Sequence, residues 1–235
     1  MEGRRLVSEA HSAGLTPEAV FYTAEFAADP RGRQLLEQLA MSGARFRRLK
    51  ARELAELAQT EHPQGILAVV PWQPVSPNAL LAGADPLLVV ADGIRDPGNL
   101  GVLWRTADAA GAAGLACTPG TVDPANPKAL RAGMGASFHV PLAQLTPGWT
   151  DWLRRQGVRV VATAPGGTLA PEAADLTGPC ALVFGNEGEG IAPEVLAAAD
   201  AVVGIPMPGR AESLNVAGAA AILLYAAVRQ RQSPA

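Results

Sequence analysis

The chain has 235 residues, 49% of them hydrophobic and 17% charged, with a formal net charge of −3 at pH 7. That apolar content fills a core and excludes a wholly disordered chain, while the slight acidity provides no general attraction to nucleic acid. No apolar run approaches the roughly 18 residues needed to cross a bilayer. The opening MEGRRLVSEAH has no apolar stretch behind its basic residues, so no secretory signal is expected. Two cysteines, Cys117 and Cys180, are too few for a disulfide framework or a zinc site. These features together describe a cytoplasmic protein.

Taken in order, residues 4–13 read as a helix closed by Gly14, and 19–23 as a strand. A helix over 32–41 places Leu35, Leu36 and Leu39 on one face. A strand at 46–49, a helix at 51–59 and a buried strand at 66–70 complete a small αβ domain spanning residues 1–70. Arg45, Arg47, Arg48, Lys50 and Arg52 form a basic strip. Such a strip suits phosphates; Glu53 and Glu56 also stand close enough in sequence to partner it. Residues 71–85 are rich in proline, which donates no amide hydrogen bond and turns the preceding residue away from helix, so they read as a linker.

The second domain, 86–235, opens on the apolar run 87–90, bounded by Pro86 and Asp92 as a buried parallel strand should be. A helix at 99–110, strands at 115–117 and 158–162, and helices at 127–134 and 149–156 follow. Strands at 181–184 and 202–205 precede an Ala- and Leu-rich helix from Ser213 to about Val228. Strands alternating with helices imply an α/β fold with a parallel sheet covered on both faces.

Three loops follow predicted strands, where open α/β sheets place their ligands. The first runs from Asp92 to Thr106 and holds Asn99, placed to cap a helix, and Arg105. In the second, Gly185-Asn-Glu-Gly-Glu-Gly190, glycines permit close approach of a ligand to backbone, while the acids argue against a phosphate cradle. The third, Ile205 to Val216, crowds Glu212, Ser213 and Asn215 around a helix start; capping explains some of them but not all three. Taken singly, each loop is also accounted for as a tight turn or a helix cap. GxGxxG and P-loop patterns are absent, which removes an ordinary dinucleotide enzyme from consideration, and His11, His62 and His139 have no ligand spacing.

In order along one domain, Asn99-x-Gly101-x-x-x-Arg105, Gly185-Asn-Glu-Gly-Glu-Gly190 and Ile205-Pro-Met…Glu212-Ser-Leu-Asn215 resemble the three motifs of the SpoU (TrmH) family of RNA ribose 2′-O-methyltransferases, within the SPOUT class. The resemblance covers roughly residues 86–230. The first domain is similar to the L30e-like substrate-binding domain of many members, through its opening Met1-Glu-Gly-Arg-Arg-Leu-Val-Ser-Glu-Ala10 and its closing His62-Pro-Gln-Gly-Ile66.

The resemblance implies a deep trefoil knot, a homodimer, and S-adenosylmethionine bound at the knot against Gly185, Ile205 and Leu214, with Ala164 and Met207 beside them. It implies methyl transfer to a ribose 2′-hydroxyl, with Arg105 as the catalytic arginine and Asn99, Glu187, Ser213 and Asn215 completing the polar set. A guanidinium stays protonated, so stabilising an alkoxide and holding a phosphate is the more physical role for Arg105 than acting as a base. An extra N-terminal domain favours rRNA over tRNA as substrate. A protein of the same fold that binds RNA without catalysis is the reading of another class. Trp104 stands where relatives carry a smaller aliphatic residue, in the core or at a dimer interface.

Overall fold

In the computed structural model, which describes residues 1–232, the chain divides into one unit of Met1–Gln73 and a second beginning at Pro74. Residues 233–235, the end of the 86–235 span, lie outside the described residues.

The first unit runs α1 (Arg4–Ser12), β1 (Ala19–Thr23), α2 (Ala24–Ala28), α3 (Pro30–Ala40), β2 (Arg45–Leu49), α4 (Ala51–Leu57) and β3 (Ile66–Val69). Its sheet has the order β2-β1-β3, with β1 parallel to β2 and antiparallel to β3. Val20, Ile66 and Ala68 are buried with Val7 of α1 and Leu35 and Leu39 of α3. Helix α3 starts at Pro30 rather than Gly32, because the Asp29 carboxylate accepts the Gly32 N–H at 2.8 Å and Pro30 suits the first turn. The unexpected α2 is too short to show a period; Thr23 Oγ1 caps it by accepting the Phe26 N–H at 3.2 Å.

The second unit contains β4 (Leu87–Asp92), α5 (Pro97–Ala109), β5 (Gly114–Cys117), α6 (Pro127–Gly133), β6 (Leu142–Gln144), α7 (Trp149–Arg155), β7 (Arg159–Thr163), β8 (Cys180–Gly185), α8 (Pro193–Ala198), β9 (Ala201–Val203) and α9 (Val216–Gln232). All six strands pair in parallel, in the order β6-β5-β4-β8-β7-β9. Helices α7 and α8 pack on β7, while α5 and α9 pack on β5 and β8 respectively. Every residue of β4 is buried, as a strand with two covered faces requires. The proline-rich stretch enters this unit: the Val75 N–H donates to the Leu142 carbonyl at 2.8 Å, and Leu80 of a short 3-10 turn is buried against the core.

Two residues of the first motif are explained by packing alone. A Cβ at Gly101 would lie 2.3 Å from the Ala129 carbonyl oxygen, so α5 and α6 touch backbone to backbone there. Trp104 is fully buried, and its indole N–H donates to the Val140 carbonyl at 3.0 Å, which places it in the core of its own chain. Among the described residues no helix is long and apolar enough to cross a membrane, and Cys117 and Cys180 are free and buried.

Candidate active site

The three loops meet at the C-terminal ends of β4, β8 and β9. Asp92 closes β4: its buried carboxylate accepts the Thr118 hydroxyl at 2.8 Å and the Ala192 N–H at 3.0 Å. The chain turns at Gly93, whose carbonyl accepts the Asn186 side-chain amide at 2.8 Å. Helix α5 then starts two residues earlier than Asn99. Its cap is Asp96, which accepts the Asn99 N–H at 2.9 Å with Pro97 behind it. The Lys128 ammonium, 2.7 Å away, and that N–H hold the Asp96 carboxyl below its ordinary range. Asn99 is therefore not the cap, and its side chain is released from that duty.

The second loop is built on close backbone approach. A Cβ at Gly185 would lie 2.3 Å from the Ile191 nitrogen, so only glycine fits beneath the returning strand of the loop. Asn186 and Gly190 exchange N–H···O bonds of 2.9 Å, and the Asn186 side-chain oxygen accepts the N–H groups of Gly188 and Glu189. Arg95, from the first loop, pairs with Glu189 at 3.0 Å.

In the third loop, β9 ends at Val203, earlier than the expected strand over 202–205, and Ile205 is released from the sheet. Gly204 packs on Gly167 so closely that a Cβ would meet the Gly167 nitrogen at 2.6 Å. Helix α9 begins at Val216 rather than Ser213, because the Asn215 side-chain oxygen accepts the Ala217 N–H at 2.9 Å. Ser213, Leu214 and Asn215 thus remain outside the helix, free to face the other loops.

One hydrogen-bonded line joins all three. The Asn215 amide donates to the Asn99 side-chain oxygen at 3.1 Å, and the Asn99 amide donates to Glu187 at 2.7 Å. Partial burial would raise the Glu187 pKa, but the Asn99 amide and the backbone N–H groups of Glu187, Arg95 and Asp96 prevail and hold it below 4.5. Glu187 is therefore an anion at neutral pH.

Beside this line lies a cavity of about 350 Å³. Ala164, Gly185, Ile205, Met207 and Leu214 line it, as do Glu187 and Ser213. Thr163, Pro165, Val216 and Leu223 also line it and lie outside the residues expected from sequence; Thr163 belongs to β7, which runs one residue beyond its expected end. Asn99 and Asn215 reach the cavity through Glu187. Arg105 does not line it. About 120° around α5 from Asn99, it is exposed and makes no hydrogen bond or ion pair among the described residues. Glu212 is likewise exposed and outside the cavity.

Residues 86–225 match the SpoU rRNA Methylase family, and residues 1–73 match the family described as RNA 2′-O ribose methyltransferase substrate binding. The chain is 41% identical over 170 residues to the 23S rRNA (guanosine(2553)-2′-O)-methyltransferase RlmP of Bacillus subtilis, a match spanning 72% of this chain and 66% of that relative's length. With the 23S rRNA (guanosine-2′-O-)-methyltransferase RlmB of Vibrio vulnificus, identity is 36% over 210 residues, covering 86% of this chain and 85% of the relative. The structure is similar to that of the SpoU methyltransferase AviRb from Streptomyces viridochromogenes in complex with AdoMet, with TM-score 0.91 and 32% identity over 100% of this chain and 91% of that one. By sequence along both units, the chain belongs to the SpoU rRNA methylase family.

Proposed function

We propose that the protein transfers a methyl group from S-adenosylmethionine to a ribose 2′-hydroxyl in ribosomal RNA. The observation that carries this reading is the line Asn215–Asn99–Glu187, one residue from each motif loop, at the edge of a cavity. AviRb was crystallised with AdoMet, and the RlmP and RlmB relatives are 23S rRNA enzymes. The match to RlmB extends over 86% of this chain, which favours rRNA over tRNA.

The residues present fit the cofactor. A cavity of about 350 Å³ falls within the range of small-molecule sites. Ile205, Met207 and Leu214 provide apolar walls, and Gly185 and Ala164 leave backbone groups within reach. Ionised Glu187 suits a cation and would repel a phosphate. When bound, S-adenosylmethionine supplies a methyl group carried on cationic sulfur.

The chain's own task is to orient the hydroxyl and stabilise the charge that forms on it. Glu187, fixed by Asn99 and Asn215, presents one acceptor geometry to the ribose, and the Ser213 hydroxyl adds a donor. Arg105, always charged, holds an adjacent RNA phosphate and the developing alkoxide.

The same reading includes a homodimer. Helix α9 buries Ala220, Leu223, Leu224 and Ala227 yet also exposes Ile222 and Tyr225, and α5 exposes Val102. A helix apolar on its outward side is ordinarily covered. Arg105 follows Val102 by one turn on the same exposed face of α5, so pairing there would carry it to a partner's cavity. Mixing Arg105→Ala with Glu187→Ala chains should then restore about a quarter of wild-type sites, since half of randomly paired dimers hold one complete site. Recovery no greater than that of the separate variants would contradict a shared site.

The same reading includes a trefoil knot around the cavity, as the family resemblance implies. Buried free cysteines suit the reducing cytoplasm, where ribosomal RNA is found. The direct test is transfer of labelled methyl from S-adenosylmethionine into separate pools of unmodified large-subunit rRNA, small-subunit rRNA and tRNA. Label at a ribose in an rRNA pool is expected; label confined to tRNA would move the substrate assignment, and none in any pool would overturn the activity.

A further inference from the structure

Side chains alternate between the two faces of a strand. In the first unit, the register places Val20 beside Phe46 and Ala68, and Tyr22 beside Arg48 and Ile66. That face carries the core: Val20, Ile66 and Ala68 are buried, with Tyr22 and Phe46 packed against them. The other face presents Phe21 flanked by Arg47 and Leu67, and Ala19 flanked by Arg45 and Val69. None of these six belongs to the buried cluster. Phe21 and Leu67 are partly exposed, Arg45 and Arg47 are exposed, and Val69 is 49% exposed. Helix α4, which follows β2, buries Leu54 alone.

The charges on this face are also unspent. Within the basic strip, Arg52 pairs with Glu56 at 3.5 Å. On this face the side chains of Arg45 and Arg47 make no ion pair or hydrogen bond among the described residues, nor does that of Arg48 on the face of Tyr22. Glu18, beside Arg45, accepts the Arg45 N–H through its backbone carbonyl at 3.1 Å. An aromatic ring with two arginines along one side, on a partly exposed sheet face, offers a π-face to a base and cations to the adjoining phosphates, and demands no particular sequence. An apolar peptide would leave the charges of Arg45 and Arg47 uncompensated here. The partner that complements it is an anionic chain with flat rings.

We propose that this face binds unpaired nucleotides of the RNA substrate, stacking a base on Phe21 and holding phosphates with Arg45 and Arg47. The proposal rests on the reading that the protein acts on RNA, and it names the surface that would deliver the substrate.

The 235-residue chain, with unmodified large-subunit rRNA as probe, permits a test by direct RNA binding and by methyl transfer. Replacing both arginines (Arg45→Gln with Arg47→Gln) should raise the RNA KM about tenfold, leave kcat within about twofold, and flatten the plot of log affinity against log salt by about 1.4, the loss of two single-strand phosphate contacts. Phe21→Ala should weaken RNA binding about tenfold, Phe21→Tyr should restore it, and S-adenosylmethionine affinity should not move. Where Phe21→Ala lowers the melting temperature, Phe21→Leu keeps the apolar bulk without the ring and should show the same loss. Unchanged RNA affinity and salt slope in the arginine variant would overturn the proposal, leaving the face to a protein partner. Absence of methyl transfer by the wild-type chain would instead count against the activity, with RNA binding still reporting on the face.

Discussion

The two sheets of this chain differ in how many of their faces are filled. In the second unit β4 is buried at every position, and helices cover both faces. In the first, the buried cluster of Val20, Ile66 and Ala68 lies on one face, and Phe21, Arg45 and Arg47 stand partly or fully exposed on the other. A sheet closed on both sides can act only through the loops at its ends, and the three motif loops are there. A sheet closed on one side has a surface of its own. The proposed division of labour between catalysis and substrate capture rests on that difference in packing.

Removing one aromatic side chain from each sheet tests the contrast most strongly. Trp104→Ala empties a fully buried site and strands the Val140 carbonyl, and should cost about 3–5 kcal/mol of stability. Phe21→Ala should cost no more than about 1 kcal/mol, because that side chain lies outside the core cluster. Denaturant titration of both variants would break the comparison if the two costs were equal.

A smaller effect is expected where a loop leaves the closed sheet. Gly185→Ala puts a Cβ 2.3 Å from a backbone nitrogen, so residues 190–191 must shift, at about 1–3 kcal/mol. S-adenosylmethionine affinity, measured by calorimetry, should fall with stability; unchanged affinity would separate this loop from the cavity's function.

The smallest effect is electrostatic. Asn99→Ala removes the 2.7 Å bond to Glu187, so the Glu187 pKa should rise toward 4.5 in a carboxyl NMR titration. Because the folded pKa lies below 4.5, its stabilising contribution is present above pH 4.5 and is lost as pH falls through the folded value. Wild type and variant should therefore differ in stability at neutral pH and converge in acid. A Glu187 titration that does not move would remove Asn99 from the network.

Much of this was legible in the sequence, and what was not has physical causes. The alternation of strands and helices, and the three glycine- and asparagine-bearing loops, are local patterns. Short elements carry no period, which hid α2, β6 and α8. Asn99 reads as a cap because Asn is a good cap by itself; the Asp96-Pro97 pair just before it is a better one, and taking the cap from Asn99 gives its side chain to Glu187. The insertion of β8 between β4 and β7 is a long-range property that no window of sequence contains. The same holds for the neighbours of Phe21, which only the strand register brings together.

In the proposed methyl-transfer site formed by the three loops, Arg105 serves the reacting oxygen. Methyl transfer to large-subunit rRNA by Arg105→Ala, measured beside its S-adenosylmethionine affinity, tests it most directly. Because Arg105 lies outside the cavity of its own chain, affinity should be unchanged while turnover falls about 100-fold or more, the scale of a lost transition-state donor. Wild-type turnover in that variant would contradict the account.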